Sequence, residues 1–186
     1  ERLLRETPEC VVVVLDEAYV EFADAPDFVS ALELRHLRER LLVLRTFSKA
    51  YGIAGLRVGY GIGPAKLVDF LQRMRAPFNV SLLGLAGARA ALKDPEHVAR
   101  YVELNGRERA RVGAALRELG LRGAPSQANF VLVEFARPGR EIYEALLHHG
   151  VIVRAMPAPL ENWLRITLGT EPQNDRLLAA VREVLR

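Results

Sequence analysis

Residues 11–15 read VVVVL and residues 41–44 read LLVL. Short continuous runs of this kind suit strands covered on both faces of a parallel sheet. The stretch between them predicts a helix over Phe28–Arg40. Strand, helix and strand in succession make a crossover unit, which is right-handed in nearly all proteins. The chain is therefore α/β, with mostly parallel sheet in its first part.

A third strand is expected over Arg57–Ile62. Gly63-Pro64 then opens a helix to about Arg75, with Pro64 near the first helical position, where its missing N–H costs little. Pro77 marks a break, and a helix follows over Leu82–Leu92. Asp94-Pro95-Glu96 reads as the N-cap and first turn of a long helix ending at Gly120. Val98, Tyr101, Val102, Val112, Leu116 and Leu119 supply its apolar stripe, weakened in the middle by Asn105-Gly106.

Beyond Ser126 the pattern turns to compact α/β, with strands over Phe130–Phe135, Val151–Arg154 and Trp163–Leu168. Helices are expected over Glu141–His149 and Asn174–Leu185. Trp163–Leu168 alternates, placing Leu164, Ile166 and Leu168 on one face and Trp163, Arg165 and Thr167 on the other. Two domains are expected, 1–93 and 94–186.

Composition narrows the function classes. No apolar run reaches the length of a membrane span. The opening residues ERLLRETPEC carry charge throughout, and Cys10 is the single cysteine. Both fit a cytoplasmic protein without disulfides. Cys10 borders the VVVVL run and is expected to be a buried, inert thiol. The net charge is +3, and the arginines are spread along the chain and interleaved with glutamates, as in RERAR followed by RELG; most of them are read as a solvated helix face. Basic and aromatic residues do not interleave, so no nucleic-acid partner is expected. His148-His149 before Gly150 suit a helix C-terminus, and no third ligand joins them, so no metal site is expected.

Against that background three features carry chemistry. Asp16-Glu17-Ala18-Tyr19 follows VVVVL, at the carboxyl end of a strand where open α/β sheets bind ligands. From position alone, Asp16 reads equally well as a functional acid and as a solvated loop acid or helix cap. Ser48-Lys49 follows the second strand in the same way. The chain uses only three lysines against 23 arginines. A lysine amine can shed its proton and attack a carbonyl, which a guanidinium cannot. Arg57 lies eight residues on, across AYGIAGL, where it and Ser48 could share an anion or where it could serve a structural ion pair. Gly59-Tyr60-Gly61-Ile62-Gly63 lacks the third glycine of a dinucleotide fingerprint. An amine for an aldehyde, an acid for a pyridine nitrogen, a phenol for a ring oxygen and a hydroxyl with a guanidinium for a phosphate together describe pyridoxal phosphate.

LDEAYVEF followed by LRTFSKAYGIAGLRVGY resembles the fold type I aminotransferases, and within them the histidinol-phosphate aminotransferase family. PSQANFVLVEF, GVIVRAM and WLRITLG resemble later segments of the same family. The resemblance implies Asp16 at the pyridine nitrogen, Tyr19 at the ring oxygen, Lys49 as the catalytic amine and Ser48 and Arg57 on the cofactor phosphate. It implies that Arg154 binds the substrate phosphate and Arg165 the substrate carboxylate, with Asn129 as a further candidate at the carboxylate end. It also implies the C-terminal part of the cofactor-binding large domain followed by a small α/β domain, in a homodimer of histidine biosynthesis. The reaction implied is histidinol phosphate plus 2-oxoglutarate to imidazole acetol phosphate plus glutamate, with small-molecule amino donor and 2-oxo acid as the partners. Alternatives are another enzyme of the same fold, such as a threonine-phosphate decarboxylase or an aromatic aminotransferase, or a catalytically inert truncated module. The matched segments correspond to the C-terminal portion of the family, so the chain is expected to be part of a larger enzyme.

Overall fold

The structure, a computed structural model, describes all 186 residues. The chain folds into two compact units, Glu1–Ala99 and Arg100–Arg186.

In the first unit a short helix α1 (Arg2–Glu6) precedes strands β1 (Val13–Asp16), β2 (Leu41–Thr46) and β3 (Gly59–Ile62). Helices α2 (Ala65–Met74) and α3 (Leu82–Ala91) follow. The sheet order is β1-β2-β3. β1 runs parallel to β2, with Val13 opposite Leu41 and Asp16 opposite Leu44. β3 runs antiparallel to β2, with Thr46 opposite Gly59. Leu4, Val13, Ala31, Leu41 and Val43 make one small core, and Phe47, Val58 and Ala88 make another.

The β-branched runs differ in burial. Leu41, Leu42 and Val43 are buried as expected, but β1 lies at the sheet edge and Val14 is 50% exposed. Cys10 is exposed rather than buried, because it sits in the turn ahead of β1 and nothing packs over it.

The helix expected over Phe28–Arg40 does not form. Only a 3₁₀ turn, Glu33–Leu37, appears there. The local groups are engaged elsewhere: the Ala31 N–H donates to Glu17 at 2.6 Å, and the Arg35 guanidinium turns back to the Leu32 carbonyl at 2.7 Å. Arg38 is pulled away to donate to the carbonyls of Leu4, Thr7, Pro8 and Val11. The crossover between β1 and β2 is therefore built of turns. β3 begins two residues later than expected, because Arg57 adopts the left-handed region with φ 55°. A Cβ on Gly59 would stand 3.0 Å from the Arg45 carbonyl oxygen, so glycine lets β3 close on β2. Pro64 is the N-cap of α2 rather than its first residue, a position that also needs no N–H bond.

α4 (Pro95–Glu118) starts as expected, with Asp94 Oδ1 accepting the His97 N–H at 3.0 Å. In the second unit β4 (Arg122–Ala124), β5 (Phe130–Glu134), β6 (Arg154–Ala155) and β7 (Trp163–Thr167) form an antiparallel sheet in the order β4-β5-β7-β6. Helices α5 (Gly139–His148) and α6 (Glu171–Val184) complete it. Val112 and Leu116 of α4, Ile142 and Leu146 of α5, and Leu177 and Val181 of α6 share one core with Val133, Leu164 and Ile166 of the sheet. β7 alternates as expected, with Leu164, Ile166 and the following Leu168 buried. Gly150 closes α5 with φ 70°, the role expected of a glycine after the C-cap.

One expectation fails here. The strand expected from Val151 is confined to Arg154–Ala155. Within the RERAR segment Glu108 is 1% exposed. Its carboxylate accepts from Asn174 Nδ2 and Arg111 Nη2, each at 2.7 Å.

Candidate active site

Strand direction assembles the first cluster. β1 and β2 are parallel, so their carboxyl ends share one edge of the sheet. β3 is antiparallel and begins at that same edge. Asp16 closes β1, Ser48 and Lys49 follow β2, and Arg57 precedes β3. Three chemistry-bearing turns thus meet at one place.

Each turn is held locally. Asp16 is exposed, and its Oδ1 accepts the Ala18 N–H at 2.9 Å, which orients the carboxylate. Tyr19 caps the 3₁₀ turn Val20–Phe22, whose Phe22 is fully buried. The Lys49 Nζ lies 5.2 Å from the centre of the Tyr19 ring, so amine and phenol are neighbours. The lysine turn is pinned by Phe47, buried at 4.9 Å from the Tyr51 ring and 5.7 Å from the Tyr60 ring. Its backbone is closed by Thr46 Oγ1 accepting the Ser48 N–H at 3.0 Å and by the Gly52 N–H donating to the Lys49 carbonyl at 3.0 Å.

Arg57 Nη1 donates to the Ala54 carbonyl at 2.8 Å and reaches Ser48 Oγ at 3.5 Å, the outer limit of a hydrogen bond. Guanidinium and hydroxyl are therefore neighbours, near enough to share an anion. The left-handed backbone at Arg57 costs about 1–2 kcal/mol for a residue with a Cβ.

The sequence reading missed a second layer. The Glu17 carboxylate accepts from Arg45 Nε at 2.9 Å and Nη2 at 2.8 Å, from Ser30 Oγ at 2.9 Å and from the Ala31 N–H. Burial opposes the charge on Arg45, but its bonds to Glu17 and Tyr60 outweigh that and strengthen its hold on its proton. Burial raises the nearby Glu21 carboxyl above its ordinary range. Two adjacent acids after a strand were the only signal, and a sequence cannot say which one turns inward.

In the second unit, Arg154 of β6 and Arg165 of β7 are direct cross-strand partners. Like charges in that relation repel unless something lies between them. The Arg165 guanidinium lies 5.3 Å from the Phe130 ring centre, and its Nε is buried without a hydrogen-bond partner. A buried orphan donor beside a second arginine is an electrostatic argument for an anion site. Asn129 stands just before β5; its carbonyl accepts the Leu168 N–H at 2.9 Å and its Nδ2 reaches the Tyr101 hydroxyl at 3.5 Å. Its place in the sheet differs from that of Arg165, which pairs with Leu132.

No group of His, Cys, Asp or Glu side chains could hold a metal ion. No helix is long and apolar enough to cross a membrane.

Residues 1–181 match the profile of the aminotransferase class I and II family. Histidinol-phosphate aminotransferase 2 of Pseudomonas fluorescens (strain Pf0-1) is 46% identical over 98% of the chain and 50% of its own length. Histidinol-phosphate aminotransferase of Bacillus subtilis (strain 168) is 45% identical over 98% of the chain and 51% of its own length. The chain thus spans about half the length of the curated relatives it matches. Among solved structures, the histidinol-phosphate aminotransferase from Sinorhizobium meliloti in complex with pyridoxal-5'-phosphate superposes with a TM-score of 0.89 at 33% identity, over 100% of this chain and 52% of that one. L-threonine-O-3-phosphate decarboxylase from Porphyromonas gingivalis superposes with a TM-score of 0.85 at 25% identity, over 99% of this chain and 57% of that one. The shared architecture is that of the fold type I pyridoxal-phosphate enzymes. By the extent of the family match, the chain belongs to the class I and II aminotransferases.

Proposed function

We propose that this chain supplies the cofactor-holding and substrate-holding residues of a pyridoxal-phosphate-dependent aminotransferase. Its reaction is the transfer of an amino group from histidinol phosphate to 2-oxoglutarate, a step of histidine biosynthesis carried out in the cytoplasm by a homodimer. The observation that carries the reading is the meeting of Asp16, Tyr19, Lys49 and the Ser48–Arg57 pair at one sheet edge.

The donor set fits the cofactor group by group. Ser48 and Arg57 offer a hydroxyl and a guanidinium to a phosphate. Asp16 offers a carboxylate to a protonated ring nitrogen, and Tyr19 a phenol to a ring oxygen. Lys49 offers the one side-chain amine at this edge, the group an aldehyde requires. Pyridoxal phosphate, when bound, supplies the electron sink that makes a substrate α-proton removable. Asp16 would keep the ring nitrogen protonated. Lys49 would be the base that takes the substrate α-proton at Nζ and hands it on to the carbon of the aldehyde group. Arg154 and Arg165 hold the substrate anion, phosphate in one half-reaction and carboxylate in the other, with Asn129 near the carboxylate end. Residues 1–93 serve the cofactor in this reading and residues 94–186 the substrate.

The test is reduction with borohydride in the presence of pyridoxal phosphate, followed by peptide mapping. Label is expected on Lys49, and a folded protein that takes none refutes the reading. Lys49→Arg keeps the charge and abolishes transamination; retained turnover refutes the role. Release of carbon dioxide from threonine phosphate by the intact protein, without amino transfer from histidinol phosphate, would favour the decarboxylase chemistry of the Porphyromonas gingivalis structural neighbour.

A further inference from the structure

Asp16 and Glu17 are adjacent acids, yet the fold treats them oppositely. Asp16 is exposed at the sheet edge. The Glu17 side chain is 9% exposed and is bonded to Arg45 by two nitrogens. Ser30 Oγ donates to both of its oxygens, at 2.9 and 3.1 Å, and Arg45 Nη2 also donates to Ser30 Oγ at 3.1 Å. The Ala31 N–H adds a bond to Oε1. Glu17 is thus the meeting point of three chain segments: its own turn, the return at Ser30-Ala31, and β2.

The consequence is geometric. The segment 18–29, which carries Tyr19, leaves and returns through the same carboxylate. Arg45 stands four residues before Lys49 on β2. Its two-nitrogen grip on Glu17 therefore ties the turn bearing Asp16 and Tyr19 to the strand that delivers Lys49. The Glu17 N–H donates to the Leu44 carbonyl at 2.8 Å, so backbone pairing and the side-chain pair act on the same two segments. Neither Glu17 nor Arg45 needs to touch a ligand for this to matter, because a cofactor held from three turns is sensitive to their spacing.

We propose that Glu17, Arg45 and Ser30 form a positioning lock, which sets the spacing of the Asp16–Tyr19 turn against Lys49 and leaves Asp16 as the acid free to meet the cofactor ring. The inference rests on the proposed use of pyridoxal phosphate. Arg45 is here a partner of Glu17 and not a cofactor-phosphate ligand, and Glu17 is not a substitute for Asp16. The lock is a part-buried pair in which two Arg45 nitrogens share one Glu17 oxygen and Ser30 and Ala31 add further bonds, so removing one partner leaves several groups unmatched.

The experiment uses the intact protein and two variants. Glu17→Gln keeps the shape and the acceptor for Ala31 but loses the ion pair; Ser30→Ala is the milder change if the first does not fold. Three readouts are taken: pyridoxal phosphate affinity by absorbance titration, the pH at which the bound cofactor's absorption changes, and cleavage by protease within residues 18–29 without cofactor. Glu17→Gln is expected to weaken cofactor binding about tenfold, to shift the pH of the spectral change and to speed cleavage; Ser30→Ala does the same about threefold. The double variant Glu17→Gln/Arg45→Met removes the unpaired charge and should recover melting temperature without recovering affinity. A lower melting temperature with affinity, spectrum and cleavage unchanged would make the pair merely structural and overturn the proposal. Recovery of affinity in the double variant would overturn it too. Absence of cofactor binding to the unaltered protein would instead overturn the reading beneath it.

Discussion

Glu108 gives the sharpest stability test, because its carboxylate is almost wholly buried yet fully bonded. The bonds to Arg111 hold its carboxyl below the usual carboxylate range, against burial that pushes it up, and the bond from Asn174 adds to the lowering. Asn174 in turn takes the Gly169 N–H on its Oδ1 at 2.9 Å, so Glu108 braces the turn that follows β7. Glu108→Gln keeps the shape, removes the charge and turns one acceptor oxygen into an NH2 that can accept nothing from Arg111. A charge-assisted hydrogen bond contributes about 1.5–3 kcal/mol and a neutral one about 1 kcal/mol, so the exchange with Asn174 alone costs about 1 kcal/mol. Glu108→Ala leaves a buried Asn174 donor unmatched and opens space beside Val112, for about 3 kcal/mol. Trp163, the single tryptophan, lies on β7 in the same unit and reports its unfolding in urea by fluorescence. The pH dependence has a definite sign. A carboxyl whose folded value is depressed contributes stability above its unfolded value, about 4.3, and loses it as pH falls through the folded value. The gap between the natural chain and Glu108→Gln should therefore be full at neutral pH and close below about pH 4. A gap that is absent, or that stays constant as the acid titrates, refutes the account.

Further expectations attach to single contacts. Arg57→Gly relieves the left-handed strain and should leave stability unchanged or raise it by up to about 1 kcal/mol, while weakening cofactor binding; a stability loss in urea unfolding would count against the strain. Gly84→Ala would place a Cβ 2.9 Å from Val58 Cγ2 and 3.1 Å from the Leu56 carbonyl oxygen, in the turns flanking Arg57. It should cost about 1–3 kcal/mol in denaturant unfolding and lower cofactor affinity. Arg154→Gln removes one of two opposed charges, so stability without ligand should hold or rise while protection by added phosphate falls; undiminished protection by phosphate refutes a shared anion site.

What the sequence revealed was the place of the candidate residues, on turns after strands. Asp16, Ser48 and Lys49 follow apolar runs whose strand identity is plain, so their address could be read one residue at a time. The same reading erred wherever a polar side chain had a distant partner. Phe28–Arg40 looked helical because its pattern contains no record of Glu17 claiming the Ala31 N–H and the Ser30 hydroxyl. The burial of Glu108 was not legible because nothing in RERAR shows that Asn174 bonds to it. Cys10 looked buried because a β-branched run does not reveal whether its strand is central or at an edge. Period and composition report the local environment, whereas partners far along the chain are fixed only when the fold closes.

Register carries the remaining weight of the site. Asp16 reaches the edge beside Lys49 only because Val13 pairs with Leu41 and Asp16 with Leu44. A slip of one residue between β1 and β2 would move Asp16 by about 3.3 Å along the strand and turn its side chain to the opposite face. The backbone ladder alone resists such a slip weakly in a strand this short. Val13, buried against Leu41 and Val43, resists it through packing, and Glu17 resists it through a bond to Arg45 that no neighbouring register can reproduce. In the proposed reading, the residue just beyond the ring contact thus does for register what the apolar core does for stability, and the placement of two acids in sequence becomes intelligible: one aligns the strands so that the other is delivered to the right place.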